Sequence, residues 1–388
     1  MQSLPTWFVI TGRERELAAA ELTSLTAADN VDFGRDFAVG TGTPPDFDRL
    51  GSAIRAGSIL GTVQSAEPQS LATEIAQLLS LTGATSKVTL GLSTNCLPPH
   101  ALKKLGLSLK KALSKTQGVS LRMVFPATGT ILNAGHIQGG KLLQAPNAEL
   151  AIFRIGTVTY LGRSNWQQDI ASYTMRDRER PARDARVGML PPKLAQMMLN
   201  LAGVQKGDNV HDLFCGTGVI LTEALRIQAI PTGSDASADM VAASRTNLEW
   251  MANKLQLTDY QPHIWKADAQ SVQLPDGVSH IVSEGYLGNP HLQEMSVTRL
   301  EAEARTLLPL YRDVLRHLKH YPHPLTIVLA IPAWHHPARQ TPIELPIIDV
   351  ATDMGYTVKQ FATENESALH YHRPHQTVGR MIIKLNKD

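Results

Sequence analysis

The segment NVHDLF reads as a short strand that passes directly into CGTG and then into the helical stretch VILTEALRI. Gly216 and Gly218 therefore fall where a strand turns tightly into a helix, a place where backbone N–H groups meet a ligand at the C-terminal edge of a sheet. The turn is too short for a Walker A loop, lacks its Lys-Ser/Thr ending and does not match G-x-G-x-x-G, which sets aside nucleoside triphosphates and dinucleotides. Asp212 stands just before it. An acid there repels a pyrophosphate and suits the ammonium group of an amino-acid-like ligand.

The next two strand-like segments, AIPTGSD and HIWKAD, end in Asp235 and Asp268. An acid at a strand tip about 20 residues past the glycine turn is placed to hydrogen-bond ribose hydroxyls. Asp268 suits an adenine amino group. Three acids at successive strand ends describe a pocket for an adenosine that also carries an α-amino group and a positive centre. That molecule is S-adenosylmethionine.

The elements that must position these acids follow a regular beat. After the helix PPKLAQMMLNLAG come DNVHDLF, AIPTGSD, HIWKAD, HIVSE and LTIVLAI, with helical segments between successive strands, the pattern of a doubly wound parallel sheet. Residues 7 to 62 read as a small α/β unit with strand WFVITG and helix ELAAAELTSL. A second α/β unit follows, with strands KVTLGLS and VSLRMVF. The run WQQDIASYTMRDRERPARDAR, dense in charge and poor in aliphatics, reads as a connector or surface arm. Its arginines could touch phosphate or pair with Asp177, Glu179 and Asp184.

Charge is distributed unevenly. The 388 residues carry a net +2, yet no acid lies between Glu74 and Glu149, where Lys87, Lys103, Lys104, Lys110, Lys111, Lys115, Arg122 and Lys141 sum to +8. A merely soluble surface interleaves both signs, so this window points to a polyanion such as RNA or DNA. Within it, ALKKLGLSLKKALSK places Leu102, Leu105, Leu109 and Leu113 on one helical stripe and the lysines on the outer faces.

At 388 residues, 43% hydrophobic and 19% charged, the chain suits two or three globular domains. No stretch approaches the roughly 18 apolar residues of a membrane span. Only Cys96 and Cys215 are present, which excludes a disulfide scaffold or a Cys-rich zinc cluster and fits a reducing cytoplasm. MQSLPTWFVITGRERE lacks the pattern of a secretory signal. His335 with His336, and His370, His372 and His375, invite a metal, but no third ligand is visible and none is expected. Trp334 either lines a base pocket or closes the core.

These residues resemble the RNA methyltransferases that join a THUMP domain to a Rossmann-like S-adenosylmethionine domain, above all the tRNA guanosine-10 N2-methyltransferase group. The strongest match is HDLFCGTGVILTEA, supported in order by RLGSAIRAGSIL, GLSLKKAL, ILNAGHIQGGKLL, QQDIASYTMRDRERPARD and GMLPPKLAQMMLNLAG. The resemblance implies a ferredoxin-like domain over 1–65, a THUMP RNA-binding domain over 66–165, a linker over 166–188 and a methyltransferase domain over 189–388. It implies cofactor contacts at Asp212, Cys215, Gly216, Gly218, Asp235 and Asp268. It implies tRNA or another structured RNA as partner; from the acid-free window, the residues expected to hold it are Lys103, Lys104, Lys110, Lys111, Lys115, Arg122 and Lys141.

The fourth strand departs from the family. Its amino-methylating motif is usually Asp, Asn or Ser, then Pro-Pro, then Tyr or Phe, whereas this chain reads Ser283, Glu284, Gly285, Tyr286. Either Glu284 replaces the usual acid, or Ser283 does and Tyr286 keeps the aromatic slot. The favoured reading takes Glu284 as acceptor of the base amine and Tyr286 as stacking surface. Loss of both prolines predicts a looser loop. Two further readings stay open: a DNA amino-methyltransferase, and a non-catalytic RNA-binding protein with a cofactor-sensing Rossmann-like half.

Overall fold

A computed structural model describes residues 5–26, 31–81, 87–183, 189–288, 295–361, 367–374 and 376–388. The chain divides into two compact units: 1–15, 26–48 and 53–168 form one, and 16–25, 49–52 and 169–388 the other. No described helix is long and apolar enough to cross a membrane.

The first unit is built on one eight-stranded sheet. Its strands are β1 (Trp7–Thr11), β2 (Val31–Phe33), β3 (Phe37–Gly40), β4 (Ala53–Val63), β5 (Lys87–Thr94), β6 (Ser120–Val124), β7 (Ala148–Ile155) and β8 (Val158–Gln167), in the order β2-β3-β1-β4-β8-β7-β5-β6. Residue 65, the expected domain boundary, falls inside this unit. The reason is long-range pairing: β4 and β8 lie on either side of that residue in sequence and hydrogen-bond along their length.

The helix after β1, α1 (Arg15–Leu25), belongs to the other unit, where its Leu17 and Ala20 join the core. α2 (Pro68–Leu78), α3 (Pro99–Gln117) and the short α4 (Ala134–Gly139) belong to the first. α3 buries Leu102, Leu105, Leu109 and Leu113, as its spacing predicts. They pack with Leu71 and Ile75 of α2 and with Val88, Leu90 and Leu92 of β5. Gly118 ends α3 in the left-handed region at φ +67°. Glu149, the first acid after the basic window, is fully buried and ion-paired to Arg55 at 2.6 Å. It therefore leaves the lysine surface unneutralised.

The second unit holds a nine-stranded sheet. β9 (Asn209–Asp212), β10 (Ile230–Asp235), β11 (His263–Lys266), β12 (His280–Glu284) and β13 (Leu325–Trp334) are the five predicted strands, and they run parallel. β14 (Ile343–Glu344), β15 (Thr357–Val358), β16 (Leu369–Tyr371) and β17 (Val378–Lys387) complete the sheet, with β17 antiparallel to β13. The main order is β11-β10-β9-β12-β13-β17-β15.

The run expected as a linker before this sheet is folded in its described part. Trp166 and Gln167 end β8, α5 (Ile170–Thr174) follows, and Met175–Glu179 make a π-helical turn. Arg176 and Arg180 are buried. α6 (Pro192–Ala202) then precedes β9, and α7 (Val219–Arg226), α8 (Ala238–Lys254) and α9 (Val297–Lys319) connect the parallel strands. Arg176 Nε donates to Glu223 Oε1 of α7 at 2.6 Å, so a charge that reads as solvated is neutralised internally by a residue 47 positions away. Asp184 and the rest of 184–188 lie outside the described residues. The architecture of the second unit is a Rossmann-like α/β fold, as expected.

Candidate functional site

The sheet order creates the site. From the adjacent pair β9 and β12, the chain proceeds to opposite edges, through β10 to β11 and through β13 to β17. Such a reversal opens a crevice at the strands' C-terminal ends. Asp212, Asp235 and Glu284 are the last residues of β9, β10 and β12, and Asp268 lies two positions past β11. All four line one cavity of about 440 Å³, together with Cys215, Gly216 and Tyr286. Met189, Leu190, Phe214, Met240 and Leu310 supply apolar wall, and sequence reasoning had given none of them a role. The GMLPP segment alone offered a signal for the first two.

Asp212 is 2% exposed, and burial pushes its carboxyl up to about 8, against hydrogen bonds from Ser283 and the Phe214 N–H. Nearby Asp235 and Glu284 push it the same way as burial. Asp235 is fixed at both oxygens, Oδ1 accepting from Ser237 N–H at 2.8 Å and Oδ2 from Gly216 N–H at 3.0 Å. Asp268 is exposed, and its Oδ1 accepts from Gln270 N–H at 2.9 Å. Carboxylate oxygens carry further lone pairs, so both acids can still accept from a ligand.

The glycine turn differs from expectation. Gly216 N–H is directed at Asp235, and Gly218 N–H donates to Cys215 O at 2.7 Å, so these two donors serve the protein. Gly218 is not part of the cavity wall. It is needed because its φ is +79° and a Cβ there would lie 2.5 Å from Ser244 Oγ on α8. Gly216, at φ +50°, has Phe214 O at 3.9 Å from where a Cβ would lie, an ordinary van der Waals contact. Burial holds the Cys215 thiol well above its ordinary range, so it forms neutral wall and not a nucleophile.

The SEGY segment resolves the two alignments in part. Ser283 is fully buried and outside the cavity; its Oγ accepts from Leu213 N–H at 2.8 Å and hydrogen-bonds Asp212. Neighbours on a strand face opposite sides, so Glu284 turns toward the cavity as Ser283 turns away. Glu284 Oε1 also accepts from Arg380 Nε of β17 at 2.5 Å, a buried partner that no local pattern announces. Burial pushes the Glu284 carboxyl up, and Arg380 and Arg373 pull it back.

Tyr286 is 51% exposed at the mouth. The loop is held without prolines: Gly285 N–H donates to Ala330 O at 2.9 Å, and Tyr311 Oη donates to Tyr286 O at 2.7 Å. Gly285 permits this, since a Cβ there would sit 2.4 Å from Tyr311 Oη.

In the first unit, Lys103, Lys104, Lys110, Lys111 and Lys115 of α3, Arg122 of β6 and Lys141 are all exposed. Leu107, 62% exposed, sits one helical turn from four of these lysines. Trp334 is fully buried and closes the core. His335 and His372 stack at 3.6 Å and His370 pairs with Glu344 at 2.6 Å, but no group of three metal-ligating residues exists among the described residues. His375 lies outside them.

Residues 180–323, which include every described wall of the cavity, match the family model UPF0020, described as RMKL-like, methyltransferase domain. Two curated relatives are tRNA (guanine(10)-N2)-dimethyltransferases. That of Methanothermobacter thermautotrophicus is 38% identical over 97 residues, 25% of this chain, and that of Methanocaldococcus jannaschii 41% over 86 residues, 22% of this chain. The aligned segments span only 27% and 23% of those proteins. Among solved structures, TrmN from Thermus thermophilus aligns with TM-score 0.53 at 17% identity, covering 99% of this chain and all of that one. SMU.472, a putative methyltransferase complexed with SAH, aligns with TM-score 0.52 at 10% identity, covering 100% of this chain and 99% of that one. Cavity, fold and family match fall on the same stretch of chain: residues 180–323 are similar to an RMKL-like methyltransferase domain.

Proposed function

We propose that this protein transfers a methyl group from S-adenosylmethionine to the exocyclic N2 amine of a guanine in tRNA. One observation carries the reading: a single cavity gathers three aspartates at neighbouring strand tips together with Glu284 and Tyr286. Its size falls in the range of small-molecule sites, roughly 300 to 1,000 Å³. Asp212 holds the ligand's ammonium group, Asp235 its ribose hydroxyls and Asp268 the adenine amine, with Gly216 giving the backbone close approach. The apolar walls at Phe214 and Met240 cover the adenosyl part.

The bound cofactor supplies a methyl group activated by its sulfonium. The protein's task is to orient the acceptor. A guanine amine is a poor nucleophile because its lone pair is delocalised into the ring, so a hydrogen bond accepted by Glu284 localises that pair as the transition state forms. Tyr286 offers a ring on which a flipped base stacks. In-line placement of amine and methyl provides the remaining rate.

The tRNA is held on the basic face of α3 with Arg122 and Lys141, within the region read as THUMP, in the cytoplasm. The two tRNA (guanine(10)-N2)-dimethyltransferases named above support guanine-10 as the target. The test incubates the protein with labelled S-adenosylmethionine and unmodified tRNA, then identifies the nucleoside by mass spectrometry. Methylated N2-guanosine is expected. Label on another nucleoside, label on DNA oligonucleotides instead, or no label at all overturns the reading.

A further inference from the structure

Three of the cavity's four carboxyl groups, Asp212, Asp235 and Asp268, answer the ammonium, hydroxyl and amine parts of an amino-acid nucleoside. Such a ligand also carries an α-carboxylate, and burying that charge without a cation is costly. The described walls contain no Lys, Arg or His. Two arginines stand directly behind them. Arg380 is engaged by Glu284.

Arg180 is differently placed. It is 4% exposed and feels the carboxylates of Asp177 and Glu223, yet its Nη2 hydrogen-bonds the thioether Sδ of Met189, at 3.0 Å, and its Nε has no hydrogen-bond partner among the described residues. A thioether is a weak acceptor for a guanidinium. Met189 is itself a wall of the cavity. The backbone that carries Arg180 is also tied to the glycine turn. Asn247, fully buried, accepts from Ala182 N–H at 2.9 Å and donates to both Ala182 O and Thr217 O at 2.8 Å. Thr217 is another wall residue.

We infer that Arg180 is the receptor for the ligand's α-carboxylate, exchanging the Met189 sulfur for two carboxylate oxygens when the cavity fills. The inference rests on the proposed cofactor. Met189 is unbranched and can vacate the position by changing rotamer. The planar fork of a guanidinium then matches a carboxylate with two parallel hydrogen bonds. Ammonium and carboxylate of one amino-acid group would thus be held by Asp212 and Arg180.

Calorimetry with three ligands tests this: S-adenosylhomocysteine, its decarboxylated analogue, and 5′-methylthioadenosine, which lacks the whole amino-acid end. Wild type is expected to prefer the parent over the decarboxylated analogue by roughly 10- to 100-fold, the usual span for a hydrogen-bonded charge. Arg180→Gln should compress that preference below about threefold while 5′-methylthioadenosine affinity holds within about twofold. Arg180→Lys, which keeps the charge and loses the fork, should lower the preference several-fold and serves if Arg180→Gln does not fold. An unchanged preference in either variant, or none in wild type, overturns the role of Arg180. A wild type that binds none of the three overturns the cofactor reading itself.

Discussion

Asp212 is the residue whose ionisation should be visible in cofactor affinity. Burial holds its carboxyl at about 8, so with the cavity empty at neutral pH it is mostly protonated. An ammonium group pairs with the carboxylate form only. Binding must therefore release a proton from Asp212 at any pH below about 8. With that value, about 1% of the molecules carry an ionised Asp212 at pH 6 and about 10% at pH 7, while an α-amino group near 8 stays protonated at both.

Affinity for S-adenosylhomocysteine should therefore rise roughly tenfold from pH 6 to pH 7, equivalent to about 1.4 kcal/mol. Titration calorimetry in buffers of different ionisation enthalpy should count nearly one proton released per ligand over that interval. Asp212→Asn should flatten the pH dependence and abolish the release. The sign for folding runs the other way. An acid whose carboxyl is raised by folding contributes its full stability below about 4 and loses it progressively as pH climbs to about 8, so the empty protein should weaken across that interval and the bound one less so. Equal affinity at pH 6 and pH 7 with no proton release would refute the reasoning.

Three further outcomes follow from the geometry. Glu284→Gln should cut turnover by about 100-fold or more with cofactor affinity within about twofold, a split that marks an interaction made in the transition state. Arg380→Leu removes the hydrogen-bonded cation from partly buried Glu284, with Arg373 still acting on it, and should cost about 1 to 3 kcal/mol, read as a lower denaturant midpoint. Reversing Lys110 and Lys111 to Glu should weaken tRNA binding and reduce the slope of log affinity against log salt by about 0.7 to 0.9 for each phosphate that is no longer neutralised; an unmoved slope removes α3 from the RNA face.

Part of the site was legible because its residues sit at strand tips. Asp212, Asp235 and Asp268 each close a segment that alternates with helices, and a parallel sheet necessarily gathers such tips on one edge. The stripe Leu102, Leu105, Leu109 and Leu113 was legible because helical periodicity is local, and the lysines followed from it. At the fourth strand the sequence left two alignments open. Adjacent residues face opposite sides, so one of Ser283 and Glu284 had to turn inward, and only the pairing of β12 between β9 and β13 decided which.

What the chain alone determined is therefore whatever neighbours along it fix: element type, face, and which residues end a strand. What folding alone decided is set by pairings between distant segments. Arg380 reaches Glu284 across 96 positions through the antiparallel return of β17. Glu223 neutralises Arg176 and turns an apparent linker into packed structure. β4 joins β8 across 96 to 112 positions, carrying one sheet past the expected boundary. These charges and edges look solvated in sequence because the partners that bury them lie far along the chain, and burial becomes tolerable only once the partner arrives.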